Sequence, residues 1–256
     1  MSGQCETHPI RRLRPEASAA LDVGAEEGRD CGSVGHGAKM PQLGSEGDGP
    51  QGSDGFDESS FDRPMNSESL TKTPPAARPF RALREAELRA RFHKALAAGD
   101  GVEGAHCIHE RWMRNAFPSH IEAALAQLWT HAAGSIPEWL PMHYVSWLPL
   151  VYGVAATFRA AKRGRRNIYL VRLDYSDRGA GLQGIYVGMT AHAPAQRFDQ
   201  HRAGIRAAGS VLKRGQELLI GPVLHLQRIA QSDAARIERD LAAALANAGI
   251  MVEGGH

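Results

Sequence analysis

Three cysteines among 256 residues, Cys5, Cys31 and Cys107, are too few and too scattered to pair into a disulfide framework or to build a zinc ribbon. No stretch of eighteen apolar residues occurs, which excludes a membrane-spanning helix. No basic segment followed by an apolar run opens the chain, so export is not expected and a reducing, cytoplasmic setting is. Residues 1–73 hold few aromatic residues and no sustained apolar period, being rich in Gly, Ser, Asp and Glu. Such a segment cannot bury enough surface to offset its ordering entropy, and we expect a disordered acidic tail.

What the chain does have is a charge asymmetry hidden by its formal net charge of +2. Residues 1–70 carry 13 acidic and 6 basic side chains, whereas 158–214 carry 3 acidic and 12 basic. A polyanion is drawn to the second region and repelled by the first. The run Lys162-Arg163-Gly164-Arg165-Arg166 concentrates that charge just before a strand-like segment, and phosphate contact is its favoured reading over plain solvated surface.

The middle of the chain reads as helical. Leu83, Leu88, Phe92 and Leu96 mark one face of a charged helix ending at Gly99, and Ile121, Leu125, Leu128 and Trp129 mark another that starts near Ser119. Between them His106-Cys107-Ile108-His109 offers zinc-type donors. No second Cys/His pair lies at a finger-like distance, so a helical turn with partly buried side chains is the better reading. Trp139, Tyr144 and Trp147 could stack on bases but are better read as packing residues.

The last hundred residues carry the chemistry. Residues 167–173 alternate as a strand with Tyr169, and after a glycine-bearing loop Gly184-Ile185-Tyr186-Val187-Gly188 returns as its partner. Pro194 opens a helix on which Arg197 and His201 fall four residues apart, one turn along the same face, while Phe198 and Ile205 are expected to face the core. Residues 210–217 read as a polar connection, 223–229 as a third strand, and 232–247 as a final helix whose Ile237, Leu241 and Leu245 form the buried stripe. Glu238 sits one step round from that stripe.

Two tyrosine-bearing strands followed in order by Arg197, His201 and Glu238 resemble the GIY-YIG nuclease family over roughly the last ninety residues. Asn167 stands where the family has its first glycine, and asparagine is among the residues that best tolerate glycine-like dihedrals. The family's late asparagine has only Asn247 as a counterpart. The resemblance implies an α+β fold: a small three-stranded antiparallel sheet flanked by helices over 159–256. A helical accessory region over 80–158 and the tail over 1–73 precede it.

The implied activity is metal-dependent endonucleolytic hydrolysis of DNA phosphodiester bonds. Glu238 would hold a single Mg²⁺ or Mn²⁺ ion, Arg197 clamp a phosphate oxygen, and Tyr169 act as base with Tyr186 orienting water and His201 assisting proton transfer. Gly188 would admit the phosphate close to the backbone, and Lys162, Arg163, Arg165 and Arg166 would contact flanking phosphates. The alternative is a catalytically inactive nucleic-acid-binding module on the same scaffold, with a protein-interaction module as a weaker third. The oligomeric state is not legible in the sequence.

Overall fold

The computed structural model describes residues 67–255, so residues 1–66 of the tail expected over 1–73 lie outside the described residues. The tail reading ends too late. Ser67–Thr71 forms a short helix, α1, and Leu70 is fully buried against a cluster that includes Phe80, Leu88 and Trp112. One leucine with a deep seat is enough to order a segment whose composition is otherwise polar.

Four helices follow: α2 (Glu85–Ala98), α3 (Gly101–Met113), α4 (Pro118–Ala132) and α5 (Leu148–Ala155). Leu88 and Phe92 face inward as the period predicts, and Asp100 caps α3 by accepting from the Glu103 N–H at 2.9 Å. The His-Cys-Ile-His segment is part of α3, a whole helix and the most enclosed of the group, with ten of its thirteen residues buried. Trp112 donates its indole N–H to the Val145 carbonyl at 3.0 Å and stacks on Tyr144, while Trp139 packs on His106. These aromatics are interior packing, as expected.

The sheet has four strands in the order β3-β1-β2-β4, formed by β1 (Asn167–Asp174), β2 (Gln183–Thr190), β3 (Gly215–Leu218) and β4 (Met251–Gly254). β1 pairs antiparallel with both β2 and β3, and β4 runs parallel to β2, so the sheet is mixed and not the expected three-stranded antiparallel one. The expected third strand over 223–229 is instead a 3-10 turn, Gly221–Leu226, begun by Pro222. Val223 and Leu226 are buried in it, and Ile229 is buried beyond it where it bridges to Arg166, which together imitate a strand in sequence. The actual third strand lies in the stretch read as a polar connection.

Period-two alternation gives the sheet two covered faces. Ile168, Leu170, Ile185 and Val187 pack against α8 (Gln231–Asn247) through its Ile237, Leu241 and Leu245. Tyr169, Val171 and Leu173 look the other way, toward Phe198 of α6 (Pro194–Arg202) and Val211 of α7 (Gly209–Arg214). Each fully buried leucine or isoleucine of the α8 stripe contributes about 1.5–3 kcal/mol.

The accessory helices join the sheet without a break. α5 places Tyr152 in the helical cluster and Val151 and Ala155 in the sheet cluster. Glu217 of β3 accepts from the Met142 N–H at 2.6 Å and pairs with His143 and Arg172.

Candidate active site

The register of β1 on β2 sets Tyr169 opposite Gly188 and Val171 opposite Tyr186. Both phenols therefore rise from the same face, on a diagonal, with their ring centroids 5.9 Å apart. A Cβ on Gly188 would lie 2.6 Å from Tyr186 Cε1 and 2.7 Å from Tyr169 Oη. The room created at Gly188 is thus filled by the two rings, and the glycine serves their approach rather than that of a phosphate.

α6 delivers the next two groups. His201 is fully buried, and its Nδ1 accepts the Ala208 backbone N–H at 3.0 Å. An amide can only donate, so Nδ1 carries a lone pair and the neutral ring holds its proton on Nε2. That proton is donated to Tyr169 Oη, 2.8 Å away. Burial first, and the Arg197 charge second, push the imidazole down to about 4. His201 is therefore a fixed donor at neutral pH.

Tyr186 and Arg197 both lie close enough to act on the Tyr169 phenol, Tyr186 raising it and Arg197 lowering it. Burial raises the Tyr169 phenol far above its ordinary range, more than Arg197 can offset. Tyr186 is half-buried. Its phenol is raised by burial and by the Glu238 charge, while the Tyr169 hydroxyl and Arg197 pull it down. The hydrogen-bonded chain runs from Ala208 through His201 to Tyr169, and Tyr186, the phenol closer to solvent, lies beside its end.

Arg197 is held in place by the loop after its own helix. It donates to the Ile205 carbonyl at 3.3 Å, the Arg206 carbonyl at 2.8 Å and Gln200 Oε1 at 3.2 Å. Ile205, expected in the core, is exposed.

Glu238 belongs to α8, whose apolar stripe covers the opposite face of the sheet. Its carboxylate does not stay there. β4 pairs with β2 only as far as Val187, which leaves the Met189 N–H at an open edge, and Glu238 Oε1 accepts it at 3.1 Å. A strand N–H lies in the plane of its sheet, so the carboxylate sits at the rim between the two faces. From there its charge reaches Tyr186.

Two adjoining hollows run from this rim. One, of about 500 Å³, is lined by Arg163, Arg165, Arg166, Ala191 and Gln231. The other, of about 470 Å³, has Arg166 and Ala191 in common with it and adds Thr190, Arg197, Ile205 and Arg206. They form one groove bordered by five arginines. Lys162 lies apart, exposed, with its charge felt by His225.

Asn167 keeps a negative φ and ties two loops together, donating to the His192 carbonyl at 2.8 Å and accepting the Arg228 N–H at 2.9 Å. Its amide offers both a donor and an acceptor, so its value is in the side chain and not in glycine-like backbone freedom. Asn247 is exposed at the far end of α8, about 13 Å along the helix from Glu238. It is not part of this cluster. Among the described residues no group of three or more His, Cys, Asp and Glu is placed to hold a metal. The donor set near Tyr186 is thus a single carboxylate, which suits a hard cation that keeps most of its waters and takes its remaining ligands from substrate.

No family model, curated protein or solved structure matches the chain.

Proposed function

We propose that this protein is a metal-dependent DNA endonuclease with a GIY-YIG-type site. The observation that carries the reading is the meeting of Tyr169, Tyr186, His201 and Arg197 on one face with the Glu238 carboxylate at the adjoining sheet rim. These residues are far apart in the chain, and ordinary packing gives no reason to gather two phenols, a guanidinium and a carboxylate.

Mg²⁺ or Mn²⁺ held by Glu238 would polarise the scissile phosphate and cancel the charge that now raises the Tyr186 phenol. Tyr186, half-exposed beside the Tyr169–His201 pair, would first lose its own proton to solvent and then, as phenolate, take the proton of the attacking water. Tyr169 donates to the Tyr186 oxygen and steadies the phenolate, while His201 fixes the direction of that bond by occupying the Tyr169 acceptor site. These assignments reverse the sequence-based preference for Tyr169 as base, because its hydroxyl is enclosed and its phenol is raised strongly. Arg197, held by two carbonyls, holds a non-bridging oxygen with its planar fork. Arg163, Arg165, Arg166 and Arg206 bind flanking phosphates along the groove.

Incubation of the purified chain with supercoiled plasmid and Mg²⁺ or Mn²⁺ tests this directly. Nicking is expected. Tight, salt-sensitive binding without nicking under either metal would instead favour a non-cleaving nucleic-acid-binding module.

A further inference from the structure

Single exposed apolar side chains are common and need no explanation. Ile205 differs in how it is held. The loop after α6 is a Schellman turn: Gly204 has φ +76, its N–H bonds the His201 carbonyl at 3.1 Å, and the Ile205 N–H bonds the Gln200 carbonyl at 2.8 Å. An apolar residue at the position of Ile205 normally packs back on the last turn of its helix. Here that turn presents Asp199 and Gln200, so the side chain has no apolar seat and stays 56% exposed.

The backbone that carries it is nonetheless fixed. Arg197 grips the carbonyls of Ile205 and Arg206, and Arg206 is held at φ +48, a region that non-glycine residues rarely adopt. A rigid loop therefore presents an isoleucine at the wall of an arginine groove, beside Arg166, Arg197 and Arg206. Proteins that lay DNA along a basic surface use such apolar wedges to enter and open a base step.

We propose that Ile205 is a wedge that inserts at a base step of duplex DNA seated in the arginine groove, making the protein selective for duplexes with an already loosened step. The inference rests on the nucleic-acid reading of this site and specifies its substrate class. The cost of opening a step is smallest where the duplex is bulged or mismatched, so the wedge converts local weakness into affinity.

The test measures binding by fluorescence anisotropy, with Ca²⁺ in place of Mg²⁺, to a matched duplex and to one containing a single-base bulge flanked by 2-aminopurine. The wild-type chain is expected to bind the bulged duplex about tenfold more tightly and to brighten the 2-aminopurine. Ile205→Ser is expected to lose both effects, its affinities for the two duplexes becoming equal, and Ile205→Leu to keep them. A bulge preference that survives in Ile205→Ser overturns the wedge and leaves the nuclease reading intact, as does equal wild-type binding to both duplexes with silent 2-aminopurine. Wild-type protein that binds neither duplex overturns both.

Discussion

Tyr169 accepts the Nε2–H of His201 across 2.8 Å, and on the proposed function this contact favours Tyr186 as the base. That contact and its burial enclose the Tyr169 hydroxyl, whereas Tyr186 beside it is half-exposed. Replacing Tyr186 by Phe should therefore lower nicking about 10²- to 10⁴-fold, the usual contribution of a general base. Tyr169→Phe should lower nicking less. It should also cost about 1–3 kcal/mol of stability, because the His201 donor is left buried without an acceptor. Paired nicking assays and urea unfolding on the two variants check the assignment; equal stability and a larger activity loss in Tyr169→Phe would reverse it.

Stability should fall on mild acidification. His201 is held down to about 4 and His109, buried in α3, to about 3, both from an ordinary value of 6.5. Between the folded and unfolded values the unfolded chain binds more protons than the native one, so stability is full above about pH 6.5 and is lost as the pH falls toward 4. Thermal melts at pH 7 and pH 4.5 should show the drop, and His201→Gln should make it shallower. A melting temperature independent of pH over this interval would contradict the buried neutral imidazoles.

Gly188 should not tolerate a side chain. An added methyl meets both phenol rings inside 3 Å, so Gly188→Ala should destabilise the fold by about 1–3 kcal/mol and reduce nicking. Urea denaturation measures the first effect. A stable and fully active Gly188→Ala would mean that the tyrosines are not packed as described.

Much of the site was legible in the sequence because period-two and period-four patterns are strong where an element packs on a core. β1, β2, α6 and α8 fall within a residue or two of their expected bounds, and the pairing that sets Tyr169 beside Tyr186 follows from the first two. The misses have physical causes. β3 is an edge strand of four residues whose polar character suits an edge, so it reads as a loop. The segment Gly221–Leu226 buries its apolar residues as a 3-10 turn that alternation cannot distinguish from a strand. β4 is only four residues long. The place of Glu238 at the rim depends on where β4 stops, a tertiary fact without a local signature.

The groove should bind DNA through its arginines in proportion to their number. Arg165→Ala and Arg206→Ala should each weaken binding across sequences and reduce the slope of log K against log salt by about 1. Lys162→Ala, outside the groove, should leave the slope unchanged. Anisotropy titrations over a range of salt concentrations check this; equal slopes for all three variants and the wild type would place the DNA elsewhere.

The central claim is that the carboxylate at the sheet rim works with the phenols beside it to cleave DNA. Its most direct test is the single-turnover nicking rate of Glu238→Gln, whose amide oxygen can still accept the Met189 N–H. With wild-type chain nicking in Mg²⁺, the variant should be slowed about 10²- to 10³-fold at saturating protein while binding plasmid with unchanged affinity. A variant that nicks as fast as the wild type would contradict the account.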